Sequence, residues 1–368
     1  MTSIILSLLI TGCSEKSQEE SQYDNQIFSI DCEALQEHFV TQATDSVQDW
    51  SGYWECFQEV NDCSGESCSW DVSDLPSYLT DEDCSQASSC SIGGATIQEC
   101  ETPTQTGFVT FDCTTDGEIS ITANGLPDHT IENYAQSGML PPLLGSTASN
   151  MNYTLTTAPV YNADSDVFDG GGGTIAVAIN SVSIFNQFTG IGTVAVTDEI
   201  VDDCGGHPAN GTYHYHAYPS CGALAASSVQ GTQGTHSGLV GMSLDGFPIF
   251  GPFGYSDPSD SVSEVVRMQS CYTQTECTDE TNASCYTFDQ EGYDNGACHL
   301  DKCNGRVSAV PDAMQAALGS EIYAYYTTID EAQAPAFPYL PFCYRGDAAS
   351  GSTEMQPPPP PQQWTGIE

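Results

Sequence analysis

Short alternating segments of β-branched and small or polar residues begin near residue 105 and run through most of the chain. Gly, Asn, Asp and Pro separate these segments, which is typical of strands joined by turns. Four segments show the alternation best, and they begin at Phe108, Glu118, Gly173 and Ile191. The best helical pattern is short and runs from Val310 to Leu318, with a proline at a first-turn position. The pattern therefore predicts a mainly β protein.

The hydrophobic pattern before residue 105 is weaker, and cysteines are frequent there. Residues 29–104 are rich in Cys, Ser, Asp and Gln and allow one amphipathic helix after Cys32, in which Leu35 and Phe39 recur at helical spacing. We expect a small Cys-rich module here, followed by a disulfide-rich β-sheet or sandwich-like domain. The predicted units are a lipoprotein signal peptide (1–12), a flexible tether (13–28), the Cys-rich module (29–104), the main domain (105–347) and a Pro-rich disordered tail (348–368). The sequence shows no internal repeat.

Acidic residues dominate the charge of the chain. Of its 368 residues, 50 are Asp or Glu and 5 are Lys or Arg, which gives a formal net charge of −45. Such a surface repels phosphate backbones, so we expect no nucleic-acid binding, while cation binding stays compatible with it. The arginines of the main domain, Arg267, Arg306 and Arg345, are expected to pair with carboxylates such as Asp245 or Asp301. The alternative is that an arginine forms a clamp for an anionic ligand.

Seventeen cysteines indicate an oxidising compartment, because disulfide density follows export. The first of them, Cys13, follows a short apolar segment and ends the sequence Ile-Thr-Gly-Cys, which resembles the lipobox of bacterial lipoproteins. That resemblance implies a lipid on Cys13 and attachment to a membrane of the cell envelope, at the outer membrane or cell surface. The segment lacks the positive residues of a usual signal peptide. The other sixteen cysteines form two blocks of eight, Cys32 to Cys113 and Cys204 to Cys343, as internal disulfides require.

Three of the seven histidines fall within ten residues of one another, at His207, His214 and His216. Between the first two lies Asn210-Gly211, a pair that favours a two-residue hairpin turn. With that turn His207 faces His214, and His216 lies on the same side because side chains alternate along a strand. Three imidazoles on one face form a suitable set of ligands for Zn²⁺ or Cu²⁺.

A structural role for the same histidines is the alternative. In it the imidazoles hydrogen-bond to the backbone and to tyrosine hydroxyls, within a hairpin held by a disulfide between Cys204 and Cys221. That disulfide would close a loop of about 17 residues, which contributes about 3 kcal/mol. Pro208 also weakens the hairpin prediction, since proline belongs on an edge strand or at a bulge. Gly205, in contrast, would face His216 and leave open space beside it.

The segment Tyr213-His-Tyr-His216 resembles the signature of the YHYH domain family. Six further blocks support the resemblance: Ala123 to His129, Asp203 to Pro208, Leu244 to Gly254, Leu300 to Arg306, Tyr323 to Tyr326, and Phe337 to Gly346. The resemblance covers about residues 105–347 and implies an exported protein, but it implies no settled biochemical activity. It adds His129 and His236 as candidate metal ligands, because both lie in motif-like blocks.

Three functions follow from these observations. The first is binding of Cu or Zn outside the cytoplasm, the second is a non-catalytic structural or adhesion module, and the third is a metal-dependent hydrolase or oxidase, with Asp203 or Asp245 as a base. The oxygen-rich stretch from Asn162 to Asp169 resembles a Ca²⁺-binding loop but lacks the terminal glutamate of the usual loop, and a plain acidic turn is the alternative interpretation. The sequence identifies no protein or small-molecule partner.

Overall fold

The computed structural model describes residues 22–40, 42–48, 91–92, 95–96, 104–114, 116–131, 148–164, 173–189, 192–198, 201–209, 212–275 and 285–348. Its strands are β1 Gln42–Gln48, β2 Ser91–Ile92, β3 Ala95–Thr96, β4 Thr104–Cys113, β5 Glu118–Ala123, β6 Met151–Thr156, β7 Thr174–Ala178, β8 Ser183–Phe185, β9 Gly206–Ala209, β10 Thr212–Tyr215, β11 Leu239–Ser243, β12 Pro248–Phe250, β13 Phe253–Tyr255, β14 Val265–Arg267, β15 Tyr272–Gln274, β16 Tyr286–Phe288, β17 Gly305–Ala309 and β18 Glu321–Tyr326.

The helices are short and few. They are α1 Cys32–Gln36, α2 Ala195–Asp198, α3 Ser227–Gln230, α4 Gln290–Asp294 and α5 Gln315–Leu318, with 3₁₀ turns at Gly222–Ala225 and Asp312–Met314. The prediction of a mainly β, disulfide-bonded fold is confirmed.

One predicted strand is wrong, because the segment that begins at Ile191 contributes helix α2 instead. The chain turns sharply before it, at Gly192, whose φ of +84° suits glycine. The carbonyl of Val194 then accepts helical hydrogen bonds from the amides of Thr197 and Asp198. These two hydrogen bonds hold the residues in a helical turn. Apart from an isolated bridge between Val194 and Phe188, the described part of the segment joins no sheet.

An eight-stranded sheet forms the centre of the fold, in the order β17-β18-β12-β11-β7-β8-β10-β9. Its neighbours are antiparallel except for two parallel pairs, β12 with β18 and β8 with β10. Most of its side chains are buried on both faces, so burial does not alternate along strands such as β11, β12 and β17. A four-stranded antiparallel sheet, in the order β1-β4-β5-β6, accompanies it.

The eight-stranded sheet repeats itself about its centre. Strands β7, β8, β10 and β9, here called the first half, follow the same pairing pattern as β11, β12, β18 and β17, the second half. Both halves have a β-bulge at the same register, between Thr174 and Ala176 in one and between Leu239 and Gly241 in the other. The two halves meet at β7 and β11, where Val177 pairs with Met242. These two residues hold equivalent positions, so the pseudo-two-fold axis passes between them.

The equivalence extends to individual turns. Ser181 and Gly246 occupy the same step of the β7–β8 and β11–β12 connections, and both have positive φ, +78° and +88°. Gly206 pairs with Tyr215 in the first half, and Gly305 pairs with Tyr325 in the second. The structure thus contains an internal repeat that the sequence comparison within the chain did not reveal.

The N-terminal segment packs into the same core as the sheet. Leu35 of α1 is fully buried, and Phe28 contacts Phe247 edge to face at 5.8 Å between ring centroids. A disulfide joins Cys32 to Cys113 in β4. Residues 22–40, which the sequence analysis divided between a tether and a separate module, therefore share one core with the main domain.

The disulfides indicate in which cellular compartment the protein folds. Besides the bond at Cys32, the described residues contain Cys204–Cys221, Cys271–Cys298 and Cys303–Cys343, all within the two predicted blocks. Such a density indicates an oxidising, extracytoplasmic environment. Among the described residues, no helix has both the length and the apolar character to cross a membrane.

Candidate metal centre

The predicted histidine hairpin is present with the predicted register. In the β9–β10 pair, Ala209 faces Thr212, Pro208 faces Tyr213 and His207 faces His214. Its tip, residues 210–211, lies outside the described residues. β9 is the last strand of the sheet, so Pro208 occupies the edge position that proline tolerates.

The three imidazoles form one cluster. Ring centroids lie 4.8 Å apart between His207 and His214, 5.2 Å between His207 and His216, and 4.8 Å between His214 and His216. One ring nitrogen or other ligand atom of each residue lies within 4.8 Å of those of the others. The side chains are 3%, 2% and 2% exposed, so the cluster is closed to bulk water.

Backbone carbonyls fix the protons of two of these rings. Nδ1 of His214 lies 2.9 Å from the carbonyl oxygen of Thr212, and Nδ1 of His216 lies 2.7 Å from that of Asn186. A carbonyl oxygen only accepts, so each Nδ1 carries the proton and each neutral ring presents a lone pair at Nε2. Those two Nε2 atoms face each other at 3.0 Å. Two lone pairs at this distance require a positive charge between them.

Burial makes a proton a poor choice for that charge. The pKa of His214 is lowered well below its ordinary value, first because the ring is buried and then because His216 and His207 lie beside it. Phe185 adds to the low polarity, since its ring stacks on His214 at 3.9 Å and meets His216 edge to face at 5.9 Å. The environment therefore disfavours an imidazolium in this cluster.

The space beside His216 is filled, contrary to the sequence-based expectation for Gly205. A Cβ on Gly205 would lie 2.9 Å from the carbonyl oxygen of Tyr218 and 3.3 Å from the backbone of Ala217. Its φ of +81° also suits glycine. The glycine therefore serves a tight turn, and the backbone rather than an open space borders the cluster.

The tyrosines of the Tyr213-His-Tyr-His216 segment lie on the opposite face of β10 and are fully buried. Tyr213 donates to Asp202 at 2.7 Å, and the hydroxyl of Tyr215 lies 2.9 Å from Nε2 of His129. Asn180 also donates to the Tyr215 hydroxyl, at 2.9 Å. The alternation of the segment thus separates a tyrosine face, which anchors the hairpin, from a histidine face.

His129, a predicted candidate ligand, belongs to the tyrosine face. Potential ligand atoms of Cys204 and Cys221 lie within 4.8 Å of a ring nitrogen of His129. These two cysteines are bonded to each other, so their sulfurs are not thiolates. The disulfide between them, which the sequence analysis suggested, is present in the structure.

His236, the other added candidate, lies in the second half of the sheet. It packs edge to face on Phe250 at 5.2 Å and lies 4.7 Å from the Tyr255 ring. Burial lowers its pKa to about 4, and Arg306 contributes to the lowering. The structure therefore groups His207, His214 and His216, and it places His129 and His236 elsewhere. Of the predicted Ca²⁺ stretch, residues 165–169 lie outside the described residues.

Several residues that build the site were missed by sequence reasoning. The most important is Asp202, which accepts from the amides of Cys204 and Gly206, both at 3.0 Å, and thereby shapes the turn before β9. Asp301 does the same for Cys303 and Gly305, at 2.9 and 3.1 Å. The repeated Asp-x-Cys-x-Gly pattern at 202–206 and 301–305 was the available signal.

The expected pairing of the arginines holds for one of the three. Arg345, fully buried, forms an ion pair with Asp301 at 2.9 Å. Its backbone amide also donates to Asp245 at 3.1 Å. Arg267 and Arg306 instead donate to backbone carbonyls, those of Ile329 and Tyr255.

Comparison with known proteins identifies the domain that carries this site. No curated protein and no solved structure matches the chain. One family model, described as YHYH protein, matches residues 152–346, which is more than half of the chain and includes both halves of the sheet. The Tyr213-His-Tyr-His216 segment lies inside that match and supplies two of the three clustered histidines. The chain belongs to the YHYH family.

Proposed function

We propose that this protein binds one transition-metal ion, Zn²⁺ or Cu²⁺, through His207, His214 and His216. The observation that carries the proposal is the 3.0 Å approach of two Nε2 atoms whose rings both keep their proton on Nδ1. A metal ion accepts both lone pairs, whereas a second proton would have to charge a buried imidazole. On a tetrahedral Zn²⁺ with bonds of about 2.0–2.1 Å, two nitrogens lie about 3.3 Å apart, close to the observed distance.

The donor set narrows the choice of metal. Neutral imidazoles suit zinc and copper(II), and an Nδ1–H donated to a backbone carbonyl is the usual support of a metal-binding histidine. Soft thiolate ligands, which favour copper(I), are not supplied by Cys204 or Cys221 because these form a disulfide. Where both metals are present, the general affinity order favours copper.

Burial favours binding over catalysis. A catalytic metal keeps an open position for water or substrate, but the three ligands are no more than 3% exposed. The neighbouring tyrosines point to the other face, where Asp202 and His129 hold their hydroxyls. A hydrolase or oxidase activity therefore has less support than storage or structural use of the metal.

The test is metal analysis of protein purified without a histidine tag. We expect about one Zn or Cu per chain, and we expect metal removal to lower the melting temperature because a ligand that binds only the native state stabilises it. The variant His214→Ala should lose the metal, whereas His38→Ala, a half-buried histidine outside the cluster, should keep it. Metal-free protein whose melting temperature does not change on addition of either ion would contradict the proposal.

A purely structural network is the second candidate, and the nearly complete burial of His214 and His216 favours it. In that case a shared proton, not a metal, lies between the two Nε2 atoms. Nitrogen NMR of the imidazoles at neutral pH separates the two functions. A shared proton predicts that one of the two rings is protonated at both nitrogens, whereas a metal predicts two rings protonated at Nδ1 alone.

We also propose that a lipid on Cys13 attaches the protein to the cell envelope, at the outer membrane or cell surface. The support is the Ile-Thr-Gly-Cys segment together with the disulfides, which require an oxidising compartment. Labelling with a radioactive or clickable fatty acid tests the attachment. The label should appear in the wild type and be lost in Cys13→Ala, and an unlabelled wild type would disprove it.

A further inference from the structure

The second half of the sheet presents a different set of side chains at the positions that hold the histidines in the first. The shared register places Arg306 where the first half has His207, Ala324 where it has His214, and Tyr326 where it has His216. A guanidinium is always charged and repels a metal cation. The second half therefore cannot repeat the metal centre of the first.

An imidazole nevertheless lies at the corresponding place. In the first half, Phe185 contacts both His214 and His216. Its equivalent, Phe250, contacts His236 at 5.2 Å and Tyr326 at 5.8 Å. The aromatic wall is therefore common to both halves, and in the second half His236, which precedes β11, packs against it.

Arg306 is buried and forms no direct ion pair with any described residue. It is 5% exposed, lies over the Tyr326 ring at 5.9 Å and donates to the carbonyl of Tyr255. Its Nε is fully buried and has no hydrogen-bond partner among the described residues. Among the described residues, the buried ion pair of an arginine is that of Arg345 with Asp301, and none is formed by Arg306. The exposed Asp257 lies near enough to Arg306 for its pKa to be lowered, first by hydrogen bonds from Ser259 and then by the guanidinium.

A second unsatisfied donor lies on the same side of β17. Ser308, two residues after Arg306, is 2% exposed, and its hydroxyl also has no partner among the described residues. Residues two apart in a strand project to one face. Unsatisfied buried polar groups are rare and costly, so the Arg306 Nε and the Ser308 hydroxyl on one face call for a ligand.

We propose that Arg306, with Ser308, forms a site for a small oxyanion, either a carboxylate or a phosphate group. The guanidinium offers a planar pair of donors that matches two oxygens of such a group. The bound anion would supply the direct ion pair that no described carboxylate forms with Arg306. The pseudo-symmetric sheet then presents a cation site at one end and an anion site at the other.

Metal-free protein in chloride buffer provides the test, with inorganic phosphate and acetate titrated separately. Calorimetry should show binding of at least one of them, and the Nε–H signal of Arg306 in NMR spectra should shift with it. The phosphate and acetate arms decide which class of oxyanion the site prefers. Metal should be removed with a chelating resin, because a soluble chelator carries carboxylates.

Variants separate this site from general ionic effects. Arg306→Gln should weaken the binding at least about tenfold, since a hydrogen bond to a charged group is lost. Arg267→Gln removes another arginine that donates to a backbone carbonyl, and it should bind the anion as the wild type does. His214→Ala should also keep anion binding, which makes the result independent of the metal proposal.

Two outcomes would overturn the inference. The first is a wild-type protein that binds neither anion and whose Arg306 signal does not shift at high concentrations of either. This outcome does not depend on whether Arg306→Gln folds. The second is an Arg306→Gln protein that binds as tightly as the wild type.

Discussion

The two halves of the eight-stranded sheet share a frame but differ in the side chains that the frame presents. In each half an aspartate shapes the turn before the edge strand and accepts from a buried tyrosine, Asp202 from Tyr213 and Asp301 from Tyr323. On the opposite face one half presents three imidazoles, whereas Arg306 and Tyr326 lie there in the other. The contacts of the tyrosine face are therefore shared and stabilise both halves, whereas the side chains on the opposite face can differ.

The halves also differ in how the aspartate is neutralised. Asp301 forms an ion pair with Arg345, whose Nε and second terminal nitrogen both lie 2.9 Å from it. Asp202 is bonded to two amides and a hydroxyl. The same structural element is thus held by a buried ion pair in one half and by neutral donors in the other.

The largest effect should come from breaking that ion pair. Asp301→Asn leaves Arg345 buried without its counter-charge, and we expect the free energy of unfolding to fall by about 3–5 kcal/mol. Asp202→Asn weakens hydrogen bonds to neutral donors and should cost about 1–3 kcal/mol. Urea unfolding of the two variants measures both. Equal losses would show that the ion pair adds nothing to the second half.

The disulfides provide the next comparison. Cys204 and Cys303 hold equivalent positions but close loops of different length, 17 residues to Cys221 and 40 residues to Cys343. Replacing each pair by alanine should cost about 3 kcal/mol in the first half and about 4 kcal/mol in the second, because the longer loop restricts the unfolded chain more. Denaturant titration of the two double variants measures the difference. A larger loss from the shorter loop would show that strain or packing outweighs chain entropy.

Exchanging the ligand positions tests the metal centre. His207→Arg gives the first half the residue that the second half has, and metal affinity should fall by at least about 100-fold because a permanent cation enters the cluster. His207→Gln removes one ligand without adding charge, and metal affinity should fall by at least about 10-fold, which even residues that only orient a ligand contribute, but less than in His207→Arg. Competition with a fluorescent chelator measures both affinities. Equal metal affinities of the two variants would contradict the idea that the positive charge of an arginine at this position prevents metal binding.

The smallest effect concerns pH. His236 has a pKa of about 4 in the folded protein, chiefly because it is buried, and about 6.5 when unfolded. The unfolded chain therefore binds a proton first as the pH falls, and the free energy of unfolding should decrease from about pH 6.5 to about pH 4, by roughly 1–3 kcal/mol. The decrease in the free energy of unfolding that His236 causes should be absent in His236→Gln, and most of the wild-type decrease should remain in His38→Gln. Stability curves measured at several pH values decide this, and parallel curves for wild type and His236→Gln would contradict it.

Local signals accounted for the part of the site that sequence could predict. The Asn-Gly turn and strand alternation were enough to bring His207, His214 and His216 to one face, since both act over a few residues. The carbonyls that orient the rings, those of Thr212 and Asn186, could not be predicted because every residue has one. Phe185 lies between Ile184 and Asn186, and nothing in that segment indicated its contact with His214.

The internal repeat escaped sequence reasoning for a different reason. The first half connects β8 to β9 through a segment that contains α2, whereas the second half inserts β13 to β16 and α4 between β12 and β17 and α5 between β17 and β18. The equivalent side chains are also mostly different, and the clearest shared features are an Ile-Phe pair in β8 and β12 and the Asp-x-Cys-x-Gly pattern. The remaining similarity between the halves lies in the register of their strand pairs, which cannot be read from hydropathy or composition.

The Val177–Met242 pair has a consequence for how such a sheet can be assembled. Strands β7 and β11 pair at equivalent residues on the pseudo-two-fold axis. Such a contact is self-complementary, because each half contributes the same strand edge to it. Two separate copies of one four-stranded unit could join through that edge and rebuild the whole sheet. Covalent linkage of the copies in a single chain is what allows their far ends to diverge, because neither end any longer has to match its twin.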